Sequence, residues 1–302
     1  MTALLPPPLR PGDRIGVVAP GGPARRAALL RGIAWLERRR FVVARGEHLL
    51  DRRGYLAGED GDRARDLNRA LADPELQAVW FARGGYGSQR ILAEIDFSPL
   101  RSRPKALIGY SDVTPLQAAA WKTARLATFQ GPMVSELADT AAYDAAALSK
   151  ALSGAPLRFA LPRGSILRPG RGEGPILGGC LSMLVGLLGT PFDLETRGAI
   201  LYWEEVNEEP YRIDRMLAHL RLAGRLQGLQ GMVIGRLVGC RARRRDYDLP
   251  LAEILRAHLE GTDYPVVVDF PAGHTRRKVT LPLGRTARLD TGARRLTIAR
   301  TG

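Results

Sequence analysis

The sequence predicts a two-domain α/β protein, with a doubly wound parallel sheet first and a smaller α/β domain after it. Its 302 residues exceed the usual size of a single domain. Through residues 14–130, short β-branched or apolar runs alternate with longer stretches whose apolar positions recur every three or four residues, as strands joined by crossover helices do. The pattern weakens over 138–174 into an alanine-rich helix followed by Pro, Gly and Arg, then resumes. The expected domains are therefore 1–137 and 175–302, with 138–174 connecting them.

In the first domain the predicted strands are Arg14–Ala19, Phe41–Arg45, Ala78–Ala82 and Ala106–Tyr110, with a shorter one at Ala127–Gln130. Helical periodicity covers Ala27–Arg39 and Asp62–Ala72. The second domain reads as a helical run Leu181–Leu188, a strand Ala199–Trp203, a helix Tyr211–Leu222 and a strand Gly231–Ile234. A helix Leu251–Leu259 and a strand Pro265–Phe270 follow, and Lys278–Ile298 breaks into short β-like pieces. Open sheets of this type bind ligands beyond the carboxyl ends of their strands, so the residues after each strand are the ones to search for chemistry.

Composition narrows the function classes. Hydrophobic residues make up 45% and charged residues 25%, as in ordinary globular proteins. No apolar run reaches signal-peptide or membrane-span length, so a cytoplasmic protein without a membrane partner is expected. Cys180 and Cys240 are too far apart in sequence for a zinc motif or a disulfide framework, and reduced thiols are expected. The formal charge of +14 comes from scattered arginines, with a denser run only at Arg241, Arg243, Arg244 and Arg245. Without a nucleic-acid-binding motif, that run reads as a solvated loop, and no nucleic-acid partner is expected.

Ser111 stands where the apolar strand Ala106–Tyr110 meets a helix announced by Pro115. A serine on such a turn holds its hydroxyl above the sheet, and the next amide, that of Asp112, points toward a developing oxyanion. Local sequence alone favours a helix-capping Ser-Asp pair over a nucleophile. A nucleophilic serine needs a base, and the chain has 4 histidines. His219 and His258 fall inside predicted helices and His48 has no accompanying pattern. His274, after a strand and after Gly273, is the best placed.

An acid must orient that imidazole, and Glu204-Glu205 stand at the end of a predicted strand. Strand alternation allows only one of the two to face the site. No His or Asp stands nearby at ligand spacing, so no metal is expected at this pair. Arg83-Gly84-Gly85-Tyr86-Gly87-Ser88 lacks both the dinucleotide fingerprint and the P-loop Lys-Ser/Thr. It reads as a tight turn able to supply a second oxyanion donor.

Taken in order, these segments resemble the LD-carboxypeptidase family, serine peptidases that include murein tetrapeptide carboxypeptidases and microcin C self-immunity hydrolases. The resemblance rests on Tyr55-Leu-Ala-Gly58, Trp80-Phe-Ala-Arg-Gly-Gly-Tyr-Gly87, Ile108-Gly-Tyr-Ser-Asp112 and Gly131-Pro-Met133. It continues through Gly178-Gly179, Leu188-Gly-Thr-Pro191, Glu204-Glu205-Val206, Pro210-Tyr-Arg-Ile-Asp-Arg-Met-Leu217, Gly273-His274 and Leu281-Pro-Leu-Gly284. It implies a flavodoxin-like N-terminal domain, a homodimer, and a triad of Ser111, Glu204 (not Glu205) and His274. It further implies oxyanion donors at the Gly85 and Asp112 amides and no metal or organic cofactor. Gln130, Cys180 and Gly21 depart from the common family pattern, which has His, Asn and Ser there.

The expected activity is a serine carboxypeptidase that cleaves a small peptide between an L-configured centre and a terminal D-amino acid, releasing D-alanine from a murein tetrapeptide. Arg83, beside the glycine turn, is the candidate for the substrate carboxylate because a guanidinium bonds both oxygens. The alternative is a hydrolase of aminoacyl-nucleotide conjugates. Trp203, adjacent to Glu204, would then be the platform for the base.

Overall fold

The computed structural model describes residues 3–242 and 249–299, and the chain forms two compact units. Unit 1 comprises the chain through Leu157 plus Arg276–Arg285, and unit 2 comprises Arg158–Thr275 plus Thr286–Ile298. Of the basic run, Arg243, Arg244 and Arg245 lie outside the described residues.

Unit 1 opens with β1 (Arg14–Val18), α1 (Arg26–Arg38), β2 (Val42–Arg45), α2 (Asp60–Ala72) and β3 (Leu76–Phe81). It goes on through the single turn α3 (Pro99–Ser102), β4 (Ala106–Gly109), α4 (Thr114–Ala124), β5 (Thr128–Gln130) and α5 (Ala145–Leu152). Unit 2 carries β6 (Leu157–Ala160), β7 (Ile166–Arg168), β8 (Arg171–Cys180), α6 (Leu181–Val185) and β9 (Ile200–Val206). It continues with α7 (Pro210–Leu222), β10 (Gly231–Val238), α8 (Leu251–Leu259) and β11 (Val266–Val267). The chain then returns to unit 1 as β12 (Leu281–Leu283) and finishes the second sheet with β13 (Thr286–Asp290) and β14 (Arg295–Ile298).

The sheet of unit 1 runs β2-β1-β3-β4-β5-β12, all parallel except β12, which lies antiparallel to β5. Without β12 this is the flavodoxin order that the family resemblance implied. Helices cover the strands because their apolar stripes demand it: α1 buries Leu29, Ile33 and Leu36, and α2 buries Ala64, Leu67 and Leu71. In this order the chain reverses direction across the sheet between β1 and β3, so the loops after those two strands diverge and open a crevice. The loop after β1 contains Pro20-Gly21-Gly22, the loop after β3 contains Arg83–Gly87, and Ser111 follows the next strand, β4.

The sheet of unit 2 runs β6-β14-β13-β8-β9-β10-β11-β7. Its centre, β8-β9-β10-β11, is parallel. β9 is buried through Glu205, as the apolar run ahead of its two acids requires of a central strand. The pairing of β10 with β9 slips between Ile234 and Leu237, so that Gly235 and Arg236 together face the single position Glu204. This bulge turns the Arg236 amide toward the Ala272 carbonyl, at 3.2 Å, two residues before His274.

Both units differ from the expected boundaries. Helix α5 and the chain to Leu157 belong to unit 1, and β6, β7 and the first half of β8 belong to unit 2, across the segment read as a connection. Arg276–Arg285 returns to unit 1 because β12 pairs with β5, a contact between segments about 150 residues apart that local patterning cannot register.

Candidate active site

In unit 1, Tyr110 leaves β4 fully extended at φ −154°, and Ser111 turns to φ +64°. One 3-10 turn, Ser111–Val113, then feeds α4, with Pro115 in its first turn. A left-handed backbone on a non-glycine residue costs about 1–3 kcal/mol, so the surrounding contacts must hold it. They do so on both sides. The Val113 amide closes on the Tyr110 carbonyl at 3.3 Å, and the Tyr110 hydroxyl meets Glu136 Oε1 at 3.0 Å. Lys278, buried, donates to the same Glu136 oxygen at 2.5 Å and lies 4.7 Å from the centre of the Tyr110 ring. Strand, reversed serine and helix N-terminus thus form one tight strand-turn-helix junction.

The turn after β3 packs against this elbow. A Cβ on Gly84 would lie 3.0 Å from Ser111 Cβ and 3.1 Å from its Oγ, so only glycine lets the two segments approach this closely. The Gly84 carbonyl accepts from the Gly22 amide at 2.7 Å. Across a trans peptide the carbonyl and the following N–H point in opposite directions, so this bond turns the Gly85 N–H away from Gly22. Gly85 itself sits at φ +99°. The turn at Gly84 thus packs directly against Ser111 and the Asp112 amide.

In unit 2, Glu204 Oε2 meets His274 Nδ1 at 2.8 Å and also accepts the His274 backbone amide at 3.1 Å. The carboxylate is wholly buried, while the imidazole remains 17% exposed. Gly273, at φ +96°, makes the approach feasible, because a Cβ there would strike Glu204 Oε2. With Nδ1 held by the acid, proton exchange falls to Nε2.

Its neighbour Glu205 has a different task. It is also buried, yet it accepts the Ser182 amide at 2.7 Å and the Val206 amide at 2.9 Å, with Cys180 Sγ at 3.5 Å. Burial raises its pKa above the ordinary carboxylate value. Cys180 is pushed well up in turn, by burial and by the charges of both glutamates, so it is a poor thiolate.

The other residues singled out in the sequence have surroundings of their own. His258 bonds Asp214 at 2.5 Å on α7, His219 is exposed, and His48 lies against Asp51 at 2.8 Å. Among the described residues, His48, Asp51 and Asp62 form a cluster of potential metal ligands. Asp51 occupies Nδ1 of the ring while Asp62 lies at Nε2, 3.7 Å away, so the two carboxylates face opposite ring nitrogens. Arg83 is exposed and donates to the Pro23 carbonyl at 2.7 Å. Trp203 corrects an expectation: its ring is wholly enclosed in β9, and no face is open to stack on a base.

The sequence reading passed over Arg63 and the Asp112 side chain. Arg63, with a fully buried side chain, donates to the carbonyls of Pro20 and Gly87 and to Asp60. A charged residue within the buried stripe of α2 was the available signal.

Models of the LD-carboxypeptidase N-terminal domain match residues 15–131, and those of its C-terminal domain match residues 173–289. The probable murein peptide carboxypeptidase of Bacillus subtilis is 36% identical over 95% of this chain and 91% of its own. The crystal structure of muramoyltetrapeptide carboxypeptidase from Oxalobacter formigenes superposes with a TM-score of 0.85 at 30% identity, covering 95% of this chain and 99% of that one. The wild-type apo structure of the microcin C7 self-immunity protein MccF gives a TM-score of 0.86 at 25% identity, covering 99% of each chain. Both halves of the sequence and both folded units thus lead to one assignment: the chain belongs to the LD-carboxypeptidase family of serine peptidases.

Proposed function

We propose that the protein is a serine carboxypeptidase that releases terminal D-alanine from a murein tetrapeptide, with Ser111 as nucleophile, His274 as base and Glu204 as the orienting acid. The observation that carries this reading is the 2.8 Å bond between Glu204 and His274 Nδ1, which fixes the tautomer a serine hydrolase needs.

Ser111 Oγ attacks the carbonyl carbon of the L-configured residue while His274 Nε2 takes its proton. The amides of Gly85 and Asp112 stabilise the oxyanion. Collapse breaks the C–N bond, His274 returns the proton to the departing D-alanine amine, and water resolves the acyl-enzyme by the same route in reverse. Arg83 is the proposed partner of the D-alanine carboxylate. The family resemblance supports a homodimer working in the cytoplasm and chemistry that uses the chain's own residues alone.

Mass spectrometry of purified protein incubated separately with murein tetrapeptide and with an aminoacyl-sulfamoyl adenosine tests the reading. Loss of D-alanine from the tetrapeptide is the expected result. Cleavage of the nucleotide conjugate alone overturns it in favour of a self-immunity activity.

A further inference from the structure

We infer that the Asp112 side chain is a positioning residue for the oxyanion, its carboxylate holding the Gly84–Ser88 turn so that the Gly85 amide stays aimed at the reacting carbonyl. The inference rests on the proposed triad and oxyanion donors, and it assigns a second task to a residue whose backbone amide already has one.

The argument starts from a conflict. A carboxylate buried next to a developing oxyanion repels it, and Asp112 is only 2% exposed. A bare structural site would be served by a neutral side chain at lower cost. What the carboxylate provides is two strong acceptors on one rigid plane. It accepts the Gly87 amide at 3.2 Å and the Ser88 amide at 3.0 Å, while the Ser88 hydroxyl returns a bond to the Asp112 carbonyl. These bonds clamp the far end of the turn, and the Gly22 amide clamps the Gly84 carbonyl at its near end. Gly85 sits between the two clamps.

The charge has an answering charge. Among the groups packed around Asp112, the guanidinium of Arg63 on α2 acts on it electrostatically. Arg63 also ties the Pro20 and Gly87 carbonyls together and pairs with Asp60, which Arg90 holds from its other side at 2.5 Å. Gly21 completes the enclosure, since a side chain there would strike the Asp112 carboxylate.

Burial outweighs these favourable contacts and raises the Asp112 pKa from 3.8 to about 6. A raised pKa means that the group's contribution to stability is full below its unfolded value and is lost as pH rises through about 6. At pH 8 the ionised carboxylate therefore strains the fold while serving the turn.

Asp112→Asn separates the two roles, since it keeps the backbone amide but presents an NH₂ to one of the two turn amides. The expected result is a fall in kcat of about 10²-fold, the scale of one lost oxyanion donor, with KM changed less than about threefold. The thermal midpoint at pH 8 should equal or exceed that of the parent, and the two proteins should converge as pH falls toward 4. Turnover within about threefold of the parent overturns the inference, as does a lowered midpoint at pH 8 that accounts for the lost activity. Should Asp112→Asn fail to fold, Ser88→Ala decides, with kcat reduced about tenfold at constant KM in support and parental kcat against. Ser111→Ala run alongside keeps the failures apart: an active Ser111→Ala removes the proposed triad, whereas an inactive Ser111→Ala beside a fully active Asp112→Asn removes only the role of the carboxylate.

Discussion

The elbow of unit 1 and the acid–base pair of unit 2 are built by different means. Around Ser111 the geometry is a backbone affair: a positive φ, a glycine turn in contact, and a carbonyl held so that the next amide faces the other way. Around His274 it is a side-chain affair, one buried carboxylate accepting two N–H bonds from the same residue. The elbow fails when a peptide plane is misplaced or one of its glycines gains a side chain. The pair at His274 fails when one carboxylate is lost, since its partner's position depends on that group. Substitutions should therefore fail in different ways in the two units.

The largest effect tests whether the two regions act as one. Ser111→Ala and His274→Ala should each lower turnover by roughly 10⁴ to 10⁶, and the double variant should be little worse than either. Single-turnover kinetics on folded protein measure this, and losses that multiply would show that the two regions act independently. Glu204→Gln comes next, at roughly 10³ to 10⁴ in kcat, because an amide can still bond Nδ1 yet cannot offset the imidazolium charge. A Glu204→Gln enzyme with near-parental kcat would remove the acid from the proposal.

Gly273→Ala attacks the same pair through the backbone. Its Cβ would occupy the approach of Glu204 Oε2, and the φ of +96° disfavours any L side chain. We expect a loss of about 1–3 kcal/mol in stability, read from the denaturation midpoint, and roughly tenfold to a hundredfold in kcat as the imidazole is displaced. Parental activity with parental stability would show that the loop relaxes around the methyl group.

The sequence made these two regions legible to different degrees. The elbow was readable because every part of it is local: an apolar strand, Ser-Asp, then a proline at the helix start. His274 emerged by elimination among four histidines, two of which lie in helices as their periodicity predicted. The choice between Glu204 and Glu205 was not settled by alternation, which says that they part company but not which faces the histidine. That depends on the bulge at Gly235–Arg236 and on the pairing of β9 with its neighbours, both non-local. The return of β12 to unit 1 escaped for the same reason. Arg63 and the Asp112 carboxylate escaped because a buried charge reveals itself only by its partners, and these lie in separate loops. β6 and β7 are short strands among Pro, Gly and Arg, where the strand signal is weak.

The smallest effect is expected one residue from the acid, where Glu205→Gln asks whether adjacent buried carboxylates really have separate tasks. Glu205 bonds the Ser182 and Val206 amides rather than the imidazole, so its replacement should change kcat by less than about tenfold, or roughly 1.4 kcal/mol. Its consequence belongs to stability instead. Burial raises the Glu205 pKa, so its contribution to stability is full below the unfolded carboxylate value and is lost as pH rises through the folded one. Gln carries no charge at any pH but offers one acceptor oxygen fewer, worth about 1 kcal/mol. Glu205→Gln should therefore be the less stable protein near pH 4, and the gap should close or reverse as the pH is raised. Thermal midpoints of the two proteins measured from pH 4 to pH 8 give the sign directly. A gap that widens with pH would mean that Glu205 is held charged by a favourable partner, and a crippled kcat would mean that it shares the work of Glu204. Either result would end the contrast between a carboxylate that orients a base and one that closes a strand end.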